Sequence, residues 1–220
     1  MKLIIYGNGR IARIIYQYVK NQYDVACFTV EKDYLVDLTM EGFPVLPFEG
    51  IEQAYSPHEN NMLVAVGYVQ MNRVRQKKAL EAKDKGYKLI NYVHPTVHLH
   101  DDLVMGENNV ILDQVSVQPG VSIGNNNFIW SNAVVAHGCT VEDNCWITSG
   151  TTIAGDSTIK SGSFLGVNST IGHNLVIGTH NFIGANSLIV RSTASDAVYI
   201  SRESEKHRLD SYRFLQFTGV

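Results

Sequence analysis

The sequence predicts a two-part molecule: a small α/β lobe followed by an all-β domain wound as a parallel β-helix. Three observations carry this expectation. Short β-rich runs alternate with helical stretches over the first part of the chain. A glycine turn, Gly7-Asn8-Gly9, stands between the first strand and the first helix. From Met105 to Ile189 an aliphatic residue recurs at every sixth position without a slip.

The lobe reads as strand, turn and helix from its first residues. Lys2 to Tyr6 form a β-rich run, and Ile11, Ile14, Ile15, Tyr18 and Val19 then fall at helical spacing. Asp24 to Val30 predict a second strand, Met62 to Gly67 a third, Met71 to Lys85 an amphipathic helix, and Lys88 to Tyr92 a return to β character. Strands separated by helices imply a parallel sheet with crossover helices. His94-Pro95 is a natural boundary, because the residue before a proline is pushed out of helix, and it ends the lobe at residues 1–93.

The second domain, residues 96–191, rests on the period. Met105, Ile111, Val117, Ile123, Ile129, Val135, Val141, Ile147, Ile153, Ile159, Leu165, Ile171, Ile177, Ile183 and Ile189 mark it, with small residues such as Ala133, Cys139, Thr151, Ser157 and Ser163 two places earlier. A hexapeptide period means short strands turning at regular corners, with one aliphatic side chain per strand pointing inward. An uninterrupted coil has flat walls and no deep pocket of its own, so sites are expected in clefts between copies packed about a threefold axis: a homotrimer. The repeat stacks on itself and should fold without the lobe. Past Arg191 the period stops, leaving residues 192–220 as a cap or tail.

Composition narrows the function. The chain has 220 residues, a formal net charge of -3 and a pI near 6.2, which gives no electrostatic footprint for nucleic acid or an anionic membrane. The opening MKLIIYGNGR lacks the long apolar run of a signal peptide or membrane span, which points to a cytoplasmic address. Cys27, Cys139 and Cys145 show no metal or redox spacing and are read as reduced, buried thiols.

Several residues carry chemistry. Gly7-Asn8-Gly9-Arg10-Ile11-Ala12 is a GxGxxA turn after a strand and at the start of a helix, as in Rossmann-like folds, where glycines permit close approach and the helix N-terminus receives phosphate. Glu31 stands near the place of the acid that follows the second strand of such folds. The lobe is half the size of a full dinucleotide fold, which favours a mononucleotide or a nucleotide-linked sugar over NAD. Arg73, Arg75, Lys77 and Lys78 are read as a solvated helix face in preference to a diphosphate cradle, and His94, His98 and His100 as linker polarity. His137 follows Ala133 to Ala136 and leaves the coil near a corner, either as a surface residue or as a proton acceptor working near neutral pH. Gly155 and His173 follow at steps of 18 residues and stack on the same wall. A pair of His residues 36 apart also allows zinc, but a third ligand in the matching register would fall on Gly178, with His180 two positions off, so no metal is assigned.

The repeat resembles the left-handed β-helix of hexapeptide acyltransferases. The segment Val135-Ala136-His137-Gly138-Cys139-Thr140-Val141, with the glycine turn and the run Asn181-Phe182-Ile183-Gly184-Ala185-Asn186-Ser187, resembles sugar acyltransferases of the sialic acid O-acetyltransferase and bacillosamine N-acetyltransferase type. The resemblance implies transfer of an acetyl group from acetyl-CoA to a nucleotide-linked amino deoxy sugar, for surface polysaccharide or glycan synthesis, with a sugar hydroxyl as the alternative acceptor. It implies His137 as general base and the Gly155 N–H as donor to the thioester oxygen. Acetyl-CoA contacts would fall at Gly155, Gly184, Ala185 and Arg202, and acceptor contacts at Gly7, Asn8, Gly9, Arg10, Glu31 and Tyr68. A zinc enzyme of carbonic-anhydrase type and a non-catalytic nucleotide-sugar-binding trimer are the competing readings. Four positions depart from the family pattern: Gly138 replaces an acid that contacts the base, Ile11 a His in the glycine turn, Tyr68 an Asn after the third strand, and Ser201-Arg202-Glu203-Ser204 a Gly-Val-Pro-Ala corner.

Overall fold

A computed structural model describes residues 1–219. The lobe is built on β1 (Lys2–Tyr6), which lies at the centre of its sheet because four of its five residues are buried. Helix α1 (Arg10–Val19) follows and buries Ala12, Ile15 and Val19 against the sheet. Next come β2 (Val25–Val30), β3 (Thr39–Met40), β4 (Phe43–Pro47), α2 (Ile51–Ala54), β5 (Asn60–Val64), α3 (Arg73–Asp84) and β6 (Lys88–Leu89). The sheet order is β3-β4-β2-β1-β5-β6, parallel except where β3 meets β4. Strand β5 begins earlier than its apolar run suggests, because Asn60 pairs with Lys2 and the chain must leave the sheet where β1 turns at Gly7. The antiparallel hairpin of β3 and β4 lies outside the sequence expectation, since Pro44 and Pro47 weaken the strand pattern.

From Tyr92 the chain enters the prism, a left-handed parallel β-helix. Two-residue rungs stack in three sheets. The first face carries seven strands, from Tyr92–Val93 through Phe128–Ile129 and Trp146–Ile147 to Val198–Tyr199. The second runs from Ser116–Val117 to Leu188–Ile189, and the third from Val104–Met105 to Val176–Ile177. The inward residue of each rung is the aliphatic one, and from Ile111 to Ile189 all are buried in one core. Corners fall on every sixth residue, where left-handed backbone is required: Asn126, Asn132, Asn144, Asp156, Asn168 and Asn174 all have φ between 54 and 62°. Asn, Asp and Gly take that conformation at least cost, so the corner sequence is dictated by backbone sterics.

The lobe lies on the first face. Its Leu3, Ile15 and Phe28 share a buried cluster with Val110, Phe128, Trp146 and Phe164 of the prism. Helix α3 supplies the deepest tie. Arg75 is fully buried, with its guanidinium 4.8 Å from the Phe128 ring and 5.1 Å from the Trp146 ring. It donates to the carbonyls of Asn126 (3.0 Å) and Cys145 (3.3 Å) and to Asn72 Oδ1 (2.9 Å). This corrects the reading of Arg75 as part of a solvated face: carbonyls and π faces replace its water. Burial pulls its pKa down to about 9, which leaves it charged at neutral pH. The three cysteines are free and buried, as expected.

The tail adds one last rung at Val198–Tyr199, paired with Phe182–Ile183. Beyond it, every residue from 200 to 219 except Leu209 is exposed, including the short helix α4 (Ser211–Thr218). Residues 193–199 stack on the last full coil, with the Thr193 N–H donating to the Val176 carbonyl and the Asp196 N–H to the Thr179 carbonyl. No helix among the described residues is long and apolar enough to cross a membrane.

Candidate active site

Two constellations stand out, one at a prism edge and one in the lobe. The edge between the second and third faces carries His137, Gly155 and His173 in one column, because Val135 pairs with Ile153 and Ile153 with Ile171. The His137 ring is exposed and lies flat against Gly155: a Cβ built on Gly155 would stand 2.5 Å from Nε2 and 2.7 Å from Cε1. Only glycine lets the ring settle there. Among the described residues neither imidazole nitrogen has a hydrogen-bond partner, and the Gly155 N–H donates to no protein acceptor. The edge thus presents an imidazole and a backbone N–H side by side, neither with a partner among the described residues, and such groups can take up a proton and stabilise an oxyanion.

Gly138 follows His137 at a corner with φ of 67°. The Asp156 carboxylate, one coil on, stands over Gly138, where a Cβ would meet Asp156 Oδ1. Its other oxygen is 3.9 Å from His173 Nδ1. An acid thus reaches this corner from the neighbouring coil, a placement that adjacency in sequence did not reveal. His180 sits on a different edge, 3.6 Å from Asp196. Among the described residues no group of three His, Cys, Asp or Glu side chains is arranged to hold a metal ion.

The second constellation is a cleft of about 930 Å³ at the carboxyl ends of β2, β1 and β5, the place where open parallel sheets bind ligands. The glycine turn forms its floor. Helix α1 begins there with no side-chain cap and no acidic residue in its first turn, so its first N–H groups are open to an anion. Arg10 and Arg73 line the cleft with no acidic partner within 4 Å among the described residues, and Lys77 and Lys78 join them from α3. These α3 cations face a cleft as well as solvent, which the reading of a plain solvated face missed.

Glu31 sits in the cleft wall with its carboxylate held by the Tyr6 hydroxyl and the Lys78 ammonium. Burial by itself would raise the Glu31 pKa, but these two partners outweigh it and hold the acid below its ordinary value. Burial, with the Glu31 contact, drives the Tyr6 hydroxyl well above the ordinary phenol range. Asn8 Nδ2 donates to the Tyr34 carbonyl at 2.8 Å and ties the glycine turn to the loop after β2.

The remaining expected residues are scattered. Tyr68 lies at the cleft margin and leans onto Phe164 and Trp146, and Gly184 and Ala185 sit on or beside the edge between the first and second faces. Arg202 is in the exposed tail. Within one chain, Gly184 and Ala185 are therefore not brought together with His137 and Gly155.

Fold and site together define a hexapeptide-repeat β-helix with an α/β lobe docked on one face. A family profile described as bacterial transferase hexapeptide (six repeats) matches residues 102–137 and 120–155. No curated protein matches the chain. The structure is similar to PerB from Caulobacter crescentus in complex with CoA and GDP-perosamine, 24% identical with a TM-score of 0.81 over 90% of this chain and 93% of that one. It is also similar to the acetyltransferase domain of PglB from Neisseria gonorrhoeae in complex with acetyl coenzyme A, at 22% identity and a TM-score of 0.80 over 90% and 94% of the two chains. WeeI from Acinetobacter baumannii is more distant, at 16% identity and a TM-score of 0.56 over 90% and 95%. At these identities the likeness is one of fold.

Proposed function

We propose that the protein is an acetyl-CoA-dependent acyltransferase that acetylates the amine of a nucleotide-linked sugar. The observation that carries this reading is the His137 ring lying on Gly155 with the Gly155 N–H unpaired at an exposed prism edge. His137 takes the proton from the amine as nitrogen attacks the thioester carbon. The Gly155 N–H stabilises the oxyanion, and collapse expels the coenzyme A thiolate, which takes up a proton. A sugar hydroxyl reacts by the same steps. The lobe cleft holds the activated sugar by its diphosphate, on the glycine turn and Arg10, with Arg73 and Lys77 on the facing helix.

Geometry argues that the site is completed by a second copy. In a three-sided prism the edge bearing His137 is opposite the first face, which the lobe covers. A sugar held in the lobe thus faces away from its own His137. The walls that meet at the His137 edge present small side chains, including Ala136, Thr152, Ala154, Thr140 and Thr158, and are flat enough for close packing. A homotrimer would set one copy's lobe beside a neighbour's His137, and acetyl-CoA along the cleft between them would reach Gly184 and Ala185 of one chain and Gly155 of another.

The test is a panel of UDP-, dTDP- and GDP-linked amino sugars and plain sugars with acetyl-CoA, following release of free thiol. Release that requires an amino sugar, and that falls at least about 10²-fold in His137→Ala with the acetyl-CoA KM unchanged, supports the reading. Near-normal turnover in His137→Ala removes it.

A further inference from the structure

We propose that Tyr68 is a stacking platform for the sugar ring of the nucleotide-linked acceptor, and so sets sugar preference. The inference rests on the nucleotide-sugar reading above and adds a subsite to it. The cleft has a direction. The loop after β2 lies on one side of the glycine turn and the loop after β5 on the other, because the strand order is β2-β1-β5. With the diphosphate on the central glycine turn and the nucleoside toward Glu31 and Tyr34, the sugar must leave over the loop after β5.

Tyr68 stands in that loop, between Gly67 and Val69 of the cleft lining. Its ring is 4.7 Å from the Phe164 ring and 5.4 Å from the Trp146 ring, both on the prism face. Yet 48% of the residue is exposed, and its hydroxyl has no partner among the described residues. The ring is therefore backed by aromatics and open toward solvent.

The loop is also held rigidly. Gln70, Met71 and Asn72 are three consecutive left-handed residues, with φ of 50, 51 and 67°. Such a run persists only where surrounding contacts over-determine it. Here Asn72 is fully buried and donates to the Gly162 carbonyl of the prism at 3.2 Å, and Arg75 donates to Asn72 Oδ1. The lobe thus fixes a half-open aromatic ring on the route from the phosphate site to the prism. A rigid apolar ring with a free hydroxyl suits a sugar that offers a C–H face, as a deoxyhexose does, with one polar group at its rim.

Calorimetry on the full chain tests this with UDP, dTDP and GDP, each compared with a hexose conjugate: UDP-glucose, dTDP-rhamnose and GDP-fucose. For at least one pair the wild type should bind the conjugate about tenfold more tightly than the bare diphosphate, the scale of one good aromatic contact. Tyr68→Ala should abolish most of that ratio while the bare diphosphate binds within about twofold of wild type, which also shows that the cleft is intact. Tyr68→Phe should keep the ratio. A Tyr68→Ala protein that retains the full ratio, or loses diphosphate and conjugate affinity equally, overturns the proposal. So does a wild type that binds every conjugate no better than its diphosphate. Failure of the wild type to bind any diphosphate would instead remove the nucleotide reading, and the platform with it.

Discussion

Replacing Gly155 by alanine perturbs the proposed chemistry with the smallest possible change. The Gly155 backbone is outside the left-handed region, so alanine brings no backbone strain. The new methyl would stand 2.5 Å from His137 Nε2 and 3.0 Å from Cδ2. An ordinary contact needs roughly 3.5 Å, so the imidazole must retreat by about 1 Å. Displacement of that size costs on the order of 10²-fold in rate when a reacting group is held for attack. His137 is exposed and free to swing outward, so thermal stability should hardly move. Steady-state kinetics by thiol release should show kcat reduced about 10²-fold, with the nucleotide-sugar KM near wild type. A Gly155→Ala protein with kcat within threefold of wild type, by rough allowance for assay scatter, would refute the claim that the ring must lie on this glycine.

Four further outcomes follow from the packing. Gly9→Val places its Cβ where no atom lies within 4 Å, so it should fold normally and yet raise the nucleotide-sugar KM at least about tenfold without moving that of acetyl-CoA. Gly7→Ala, by contrast, meets the Ala65 carbonyl at 2.9 Å with φ of 128° and should lower the melting temperature. Arg75→Ala removes two aromatic contacts and strands the carbonyl of Asn126, while the Cys145 carbonyl keeps the Phe128 N–H; a loss of about 3 kcal/mol, seen as a fall of roughly 6–12 °C in Tm by scanning calorimetry, is expected. Deleting residues 1–93 should give aggregated material in size-exclusion chromatography, because it bares Val110, Phe128, Trp146 and Phe164.

That last expectation reverses the one drawn from the repeat alone, and the reason is instructive. Period six announces the prism because inward positions obey one rule at every corner. The docking of the lobe on the prism is written at a longer period: Phe128, Trp146, Phe164 and Phe182 recur every 18 residues at the outward position of the first face, where the other faces carry mostly Ser, Thr and Val. Arg75 hid for a different reason. It sits among Arg73, Lys77 and Lys78 on a helix of strongly polar sequence, and its partners are backbone carbonyls and rings some 50 to 70 positions away. No local pattern distinguishes it from its neighbours. The column of His137, Gly155 and His173 was legible because a coil of 18 residues converts sequence spacing directly into spatial stacking. The carboxylate of Asp156 over Gly138 was not, since adjacency in sequence was the wrong metric there.

The central claim is that a sugar held in one copy's lobe is acetylated at another copy's His137. It is tested by coexpressing His137→Ala and Gly9→Val chains, each with about one tenth of the wild-type rate or less at low acceptor concentration, and purifying the mixed oligomers. If each site draws its lobe and its base from neighbouring chains of a trimer, about one site in three of a mixed trimer has both parts intact, and acetyl transfer should recover to about that fraction of wild type. If lobe and base serve each other within one chain, every site carries a defect, and mixed oligomers as inactive as either parent would contradict the account.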